Sequence, residues 1–139
     1  MTLQPYLFFE GSCEEALAFY RAALGAELDM LMRFKDAPDP AARAAGNPEK
    51  VMHAQFRVGD TVIMASDGRA SGAPSFQGFA LALSVADEAE ATRLFNALAE
   101  GGQVRMPLAK TFFAKIFGMV ADRFGIVWMV LAPARAPGG

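Results

Sequence analysis

The chain uses one local plan twice, and a short chain built from a repeated supersecondary unit has few architectures open to it. Each half closes a strand run on a triplet ending in methionine, Val62-Ile63-Met64 in the first and Val127-Trp128-Met129 in the second. Each triplet follows a turn, Gly59-Asp60 in one case and Asp122-Arg123-Phe124-Gly125 in the other. Each half also opens with an apolar stretch running into a helix-start signal. These are Leu7-Phe8-Phe9-Glu10-Gly11-Ser12 and Leu81-Ala82-Leu83-Ser84-Val85-Ala86-Asp87.

Between those markers the elements can be read in order. Gln4 to Phe9 is aromatic and branched, and reads as a strand. Ser12 with Glu15 has the spacing of a capping box, followed by a helical stripe of Ala16, Leu17, Phe19, Tyr20 and Leu24. Gly25 is placed to end that helix. Ala26 to Phe34 predicts a second strand with Leu28, Met30 and Met32 on one side. Residues 36–50 carry three prolines and read as a loop, with one helical turn near Pro40 to Ala45 and the length of a lid or contact arm. Val51 to Val58 and Thr61 to Ser66 form a hairpin, with His53, Gln55 and Arg57 on one face.

The second half follows suit. Phe79 to Val85 predicts a strand, and Asp87 with Glu90 a second capping box. Ala91, Leu94, Phe95 and Leu98 make the stripe, and Gly101-Gly102 the stop. A strand from Val104 is expected to end at Pro107. Phe117 to Ala121 and Ile126 to Leu131 form the last hairpin, and the tail from Pro133 to Gly139 is expected to fray.

Each half is therefore β-α-β-β-β, and neither could bury both its helix stripe and its sheet face alone. The expected fold class is α+β: two such modules, about 3–67 and 78–133 with a linker over 68–77, forming a curved mixed sheet around a cleft. Ile63, Ala65, Trp128 and Val130 would lie under the helices. Val62, Met64, Ser66, Val127 and Met129 would face the cleft.

Composition removes several function classes. The 139 residues are 53% hydrophobic, with twelve Phe and eight Met, enough for a soft aromatic core. A net charge of -2 leaves no electrostatic footprint for nucleic acid or an acidic membrane. No apolar run approaches the roughly 20 residues of a membrane span, and no secretory signal is visible. One cysteine forms no internal disulfide, which fits a reducing compartment, so a cytoplasmic protein is expected.

A set of motifs runs through both halves, beginning with Pro5-Tyr6-Leu7-x-Phe9-x-Gly11 and Glu15-Ala16-x-x-Phe19-Tyr20-x-x-x-Leu24-Gly25. His53-Ala54, Met64-x-Ser66-Asp67 and Thr111-Phe112-x-Ala114-x-x-Phe117-Gly118 follow. Asp122-Arg123-Phe124-Gly125-Ile126-x-Trp128-Met129 is the most specific segment. In these residues the chain resembles the vicinal oxygen chelate superfamily of glyoxalases, bleomycin-resistance proteins and ring-cleaving dioxygenases, and within it the PhnB-like branch. That branch also carries a demethylubiquinone methyltransferase label.

The resemblance implies metal-ligand positions on the first and last strands of each half, which here fall at Pro5, Met64, Ala80 (or Phe79) and Met129. None is a usual ligand for a hard divalent cation. No metal and no cofactor are therefore expected, and glyoxalase, extradiol dioxygenase or epimerase chemistry of that type is disfavoured. No glycine-rich βα turn or nucleotide fingerprint is present, which also counts against use of a methyl donor such as S-adenosylmethionine.

His53, the only histidine, has two readings. It is a general acid/base in a polar strip with Gln55, Arg57, Ser66 and Asp67 nearby, or a histidine satisfied inside the sheet or at an interface. Cys13 lies in the first turn of a helix, where the dipole lowers a thiol pKa, or is simply a small residue there. Phe112 and Phe113 either fill core or line an apolar cleft, with Lys115 at its rim. Met30, Met32, Met64 and Met129 read as plastic packing rather than a soft-metal box. Asp122 reads as a turn residue rather than a catalytic carboxylate.

Three functions remain. The first is a small-molecule binder for an apolar or aromatic ligand, contacted by Gln55, Arg57, Ser66, Met64, Phe112, Phe113 and Met129. The second is an enzyme using His53, with an atypical metal held by residues such as His53 and Asp67 as one form of it. The third is an interaction module whose cleft is filled by its own side chains. A homodimer is expected, with exchanged modules as one arrangement.

Overall fold

The structure is a computed structural model describing residues 1–134, so most of the tail expected to fray lies outside the described residues. The backbone divides into two compact units between Ser75 and Phe76. Each unit follows the β-α-β-β-β order read from the sequence and carries one four-stranded mixed sheet. The α+β class is as expected.

In the first unit β1 (Tyr6–Phe8), α1 (Cys13–Leu24), β2 (Glu27–Arg33), a short α2 (Pro40–Ala44), β3 (Val51–Val58) and β4 (Thr61–Ser66) follow in order. The sheet order is β1-β4-β3-β2, with β1 parallel to β4 and the other pairs antiparallel. The α1 stripe meets the sheet through Tyr20, whose ring stacks on Phe56 with centroids 6.0 Å apart. Cys13, Ala16, Leu17, Tyr20 and Ala23 are the buried positions, while Phe19 and Leu24 are only half-buried. Gly25 ends the helix in the left-handed region at φ 69°, its N–H donating to the carbonyls of the last turn.

Two local expectations for this unit fail for long-range reasons. The first concerns the capping box. Ser12 makes no side-chain cap; its hydroxyl donates instead to the Phe9 carbonyl at 3.0 Å. The cap comes from Asp67, 54 residues away, whose Oδ1 accepts from Cys13 N–H at 2.8 Å and from Gly11 N–H at 3.0 Å. Its Oδ2 accepts from Val51 N–H at 2.7 Å, so one buried carboxylate fastens the helix start to the start of β3.

The second failure is in β2. The register slips between Leu28 and Met30, so Asp29 is an extra residue and alternation breaks there. Leu28 therefore pairs with Phe56 on the helix side, whereas Met30 and Met32 pair with Gln55 and His53 on the other side.

In the second unit β5 (Leu81–Ser84), α3 (Glu88–Ala99), β6 (Gln103–Ala109), β7 (Ala114–Ala121) and β8 (Val127–Pro133) give the order β5-β8-β7-β6. Asp87 does cap α3, accepting from Glu90 N–H at 2.8 Å. Ala91, Leu94, Phe95 and Leu98 are all buried, as their spacing requires. Pro107 does not end its strand. β6 is the outer strand, where a missing N–H is tolerated, and its register is irregular between Met106 and Ala109.

Candidate functional site

Alternation divides each sheet into a face under its helix and an open face. In the first unit Leu7, Ala54, Phe56, Ile63 and Ala65 are buried on the helix side. The cross-strand pairs Tyr6–Met64, Gln55–Met64, Met30–Gln55 and Met32–His53 place the opposite set on the open face. That face combines aromatic rings and thioethers with a few polar groups. Tyr6 and Phe8 stack at 4.9 Å, and Tyr6 is still 37% exposed.

His53 stands on this face, half-buried, with its Nδ1 2.9 Å from the Tyr6 hydroxyl. The two rings lie 5.6 Å apart at a 39° tilt. Tyr6 escaped the sequence reading because its partner lies 47 residues on. The only signal was its place on an outward strand position. Among the described residues neither Nε2 of His53 nor the amide of Gln55 has a protein hydrogen-bond partner.

The remaining expected residues fall in different settings. Arg57 is engaged by β2: its Nε donates to both Asp29 carboxylate oxygens at 3.0 Å and one terminal nitrogen to Glu27 at 2.6 Å. Those carboxylates, Asp29 first, push its guanidinium pKa up. Ser66 pairs with Phe8 but is buried, its hydroxyl accepting from Gly68 N–H at 3.0 Å. Met64 is half-buried on the open face.

In the second unit Met129 pairs with Met119 and with Ala82, the same register that Met64 has with Tyr6. Phe112 is 98% exposed, and Phe113 packs edge-on against Phe117 at 5.2 Å. Lys115 is exposed.

Cys13 departs from the activated-thiol reading. Burial pushes its pKa up to about 12, with Asp67 and Glu14 adding like-charge repulsion. The helix dipole does not prevail against a buried, electronegative surrounding. Asp122 is more than a turn residue: it is buried, accepting from Phe124 and Ile126 N–H and from the Trp128 indole at 2.9 Å.

At the expected metal positions, the Pro5 carbonyl already accepts from Met64 N–H at 3.0 Å. The alternative pair of His53 and Asp67 is not available, because three backbone N–H groups occupy the Asp67 carboxylate. Among the described residues no group of three or more His, Cys, Asp or Glu is placed to hold a metal ion. Among the described residues no helix is long and apolar enough to cross a membrane either.

Repeated β-α-β-β-β units of this kind define the glyoxalase-like vicinal oxygen chelate fold. A glyoxylase/bleomycin resistance protein/dioxygenase domain from Frankia sp. EAN1pec shares it at TM-score 0.63 and 17% identity, covering 98% of this chain and 93% of that one. The model of the 3-demethylubiquinone-9 3-methyltransferase family matches residues 1–131, and the chain belongs to this PhnB-like family. Protein YjdN of Escherichia coli K12 is 38% identical over 145 residues, covering 99% of each chain. The crystal structure of protein PA1353 from Pseudomonas aeruginosa is 46% identical with TM-score 0.81, over 95% of this chain and 98% of that one. A PhnB protein from Bacillus cereus is 28% identical with TM-score 0.75, over 95% and 99%.

Proposed function

We propose that the chain binds a small, largely apolar or aromatic molecule on the open face of the first unit's sheet. The observation that carries this reading is the grouping of Tyr6, Phe8, Met30 and Met64 around two polar groups, His53 Nε2 and the Gln55 amide, that lack protein partners. Aromatic and thioether surfaces supply adaptable apolar contact, and isolated polar groups orient what binds. Met129, Phe112 and Phe113 offer similar chemistry on the second unit.

The family's methyltransferase description does not extend to a mechanism in this chain. The β1–α1 turn holds a single glycine, Gly11, and the amides of Gly11 and Cys13 where α1 begins donate to Asp67. A thermal-shift screen of small aromatic compounds tests the binding reading. Hits that raise the melting temperature, and lose their effect in Met64→Glu, support it. A screen without hits favours an interaction module instead.

A second reading makes the chain an enzyme with His53 as general acid/base. It is favoured by the Tyr6 hydrogen bond, which orients the imidazole and leaves Nε2 open. Turnover of a bound compound that survives His53→Ala removes this reading.

The assembly proposed is a homodimer. Leu28 on β2, and Val104 and Met106 on β6, are exposed apolar residues on outer strands that a second copy would cover. Sedimentation at micromolar concentration as a monomer contradicts it.

A further inference from the structure

We infer that Tyr6 is a positioning residue that fixes the His53 tautomer, so that Nε2–H is presented as a donor and the site selects aromatic molecules carrying a carbonyl oxygen. This rests on the open-face binding reading and names its ligand class. Three observations converge: the Tyr6 hydroxyl to Nδ1 distance of 2.9 Å, the absence among the described residues of any other hydrogen bond to the His53 ring, and the uncommitted Gln55 amide.

The direction of that hydrogen bond follows from the chemistry of its ends. A phenolic oxygen shares its lone pair with the ring and accepts weakly, whereas its O–H donates well. An unprotonated imidazole nitrogen is a strong acceptor. Tyr6 therefore donates to Nδ1, and the imidazole proton sits on Nε2, since the bond at one nitrogen sets the state of the other. The stacking of Tyr6 on Phe8 limits rotation of the phenol and holds the arrangement.

An Nε2–H donor calls for an acceptor. Gln55 lies two residues along β3 on the same face, about 6–7 Å away at strand spacing, and supplies further N–H donors. The rings and thioethers around them favour a flat apolar body. A conjugated ketone or similar aryl carbonyl satisfies both demands. A hydrocarbon of the same shape leaves the donors unsatisfied once water is displaced.

The test uses the full chain, in which His53 is the only histidine and its imidazole nitrogens are therefore assigned without ambiguity. Long-range ¹⁵N–¹H spectra of the neutral protein are expected to show Nδ1 unprotonated and Nε2 protonated. Tyr6→Phe is expected to mix the two tautomers while leaving the far-ultraviolet circular dichroism unchanged. Acetophenone and α-methylstyrene, which differ by C=O against C=CH2, are then titrated by following the Nε2 resonance and backbone amide shifts. Acetophenone is expected to bind about fivefold more tightly, a ratio that falls toward unity in His53→Ala and partway in Tyr6→Phe. A protonated Nδ1, or a tautomer unmoved by Tyr6→Phe, overturns the positioning role. Equal affinity for the two probes overturns the carbonyl selection and leaves aromatic binding standing. Binding of neither overturns both.

Discussion

Removing the Asp67 carboxylate is the perturbation that most sharply tests how the first unit is held together. Its oxygens accept from the N–H groups of Gly11, Cys13 and Val51 at 3.0, 2.8 and 2.7 Å. Cys13 and Val51 are buried, so in Asp67→Ala two amides lose their acceptor where water enters poorly, while Gly11 is partly reached by solvent. At about 1–3 kcal/mol for each unsatisfied buried donor, the expected loss is roughly 4 kcal/mol. Asp67→Asn keeps one acceptor oxygen but turns an NH2 toward a donor and forfeits charge assistance. It is expected to cost about 2–3 kcal/mol.

Urea unfolding followed by far-ultraviolet circular dichroism reads both values, and the fluorescence of the single Trp128 reports the second unit separately. The loss should appear in the dichroism transition. If both variants stay within about 0.5 kcal/mol of the parent, the range of ordinary surface changes, the Asp67 carboxylate does not hold the first unit together.

Other consequences are readily checked. Cys13, its pKa raised from 9.0 to about 12 by burial, is expected to resist thiol reagents at pH 8 until the chain is unfolded by urea. Because the folded thiol holds its proton where the unfolded one loses it, this group's contribution to stability falls as pH rises from 9.0 toward 12, readable from urea midpoints in Cys13→Ala and parent. Gly102→Ala places a Cβ against the Ala121 carbonyl oxygen and the backbone of Asp122, and should lower the urea midpoint by about 2 kcal/mol or more. Arg57→Ala removes the solvent-exposed ion pairs with Glu27 and Asp29, and the urea midpoint is expected to stay close to that of the parent in the same assay.

What the sequence made legible is what local chemistry decides. The α3 stripe, the Asp87 cap, the Gly25 stop and the hairpin at Gly59-Asp60 each depend on residues a few positions apart, and all stand as read. The errors arise where a distant residue outbids a near one. Ser12 and Glu15 had the right spacing for a capping box, but the carboxylate of Asp67 is a stronger acceptor and is brought in by β4. Pro107 looked like a terminator because its missing N–H matters only inside a sheet; on an outer strand it does not. The Asp29 bulge left no local trace in the pattern of β2.

The candidate site shows the same division. Strand alternation alone put His53 and Gln55 on one face with Met64 across from them. It did not reveal that Arg57 is taken by Asp29 and Glu27, that Ser66 is spent on a turn, or that Tyr6 reaches His53. Each depends on which strands become neighbours, and β1 beside β4 is a long-range choice.

The open face carrying Tyr6, His53, Gln55 and Met64 is proposed as a binding surface for a small aromatic molecule. Amide and methyl shift mapping of the full chain during titration with acetophenone tests it most directly. Saturable shifts are expected to concentrate in β1, β3 and β4, including the methyl of Met64 and the imidazole of His53. Saturable shifts confined to the helix side of the sheet, or no saturable shifts at all, would contradict it.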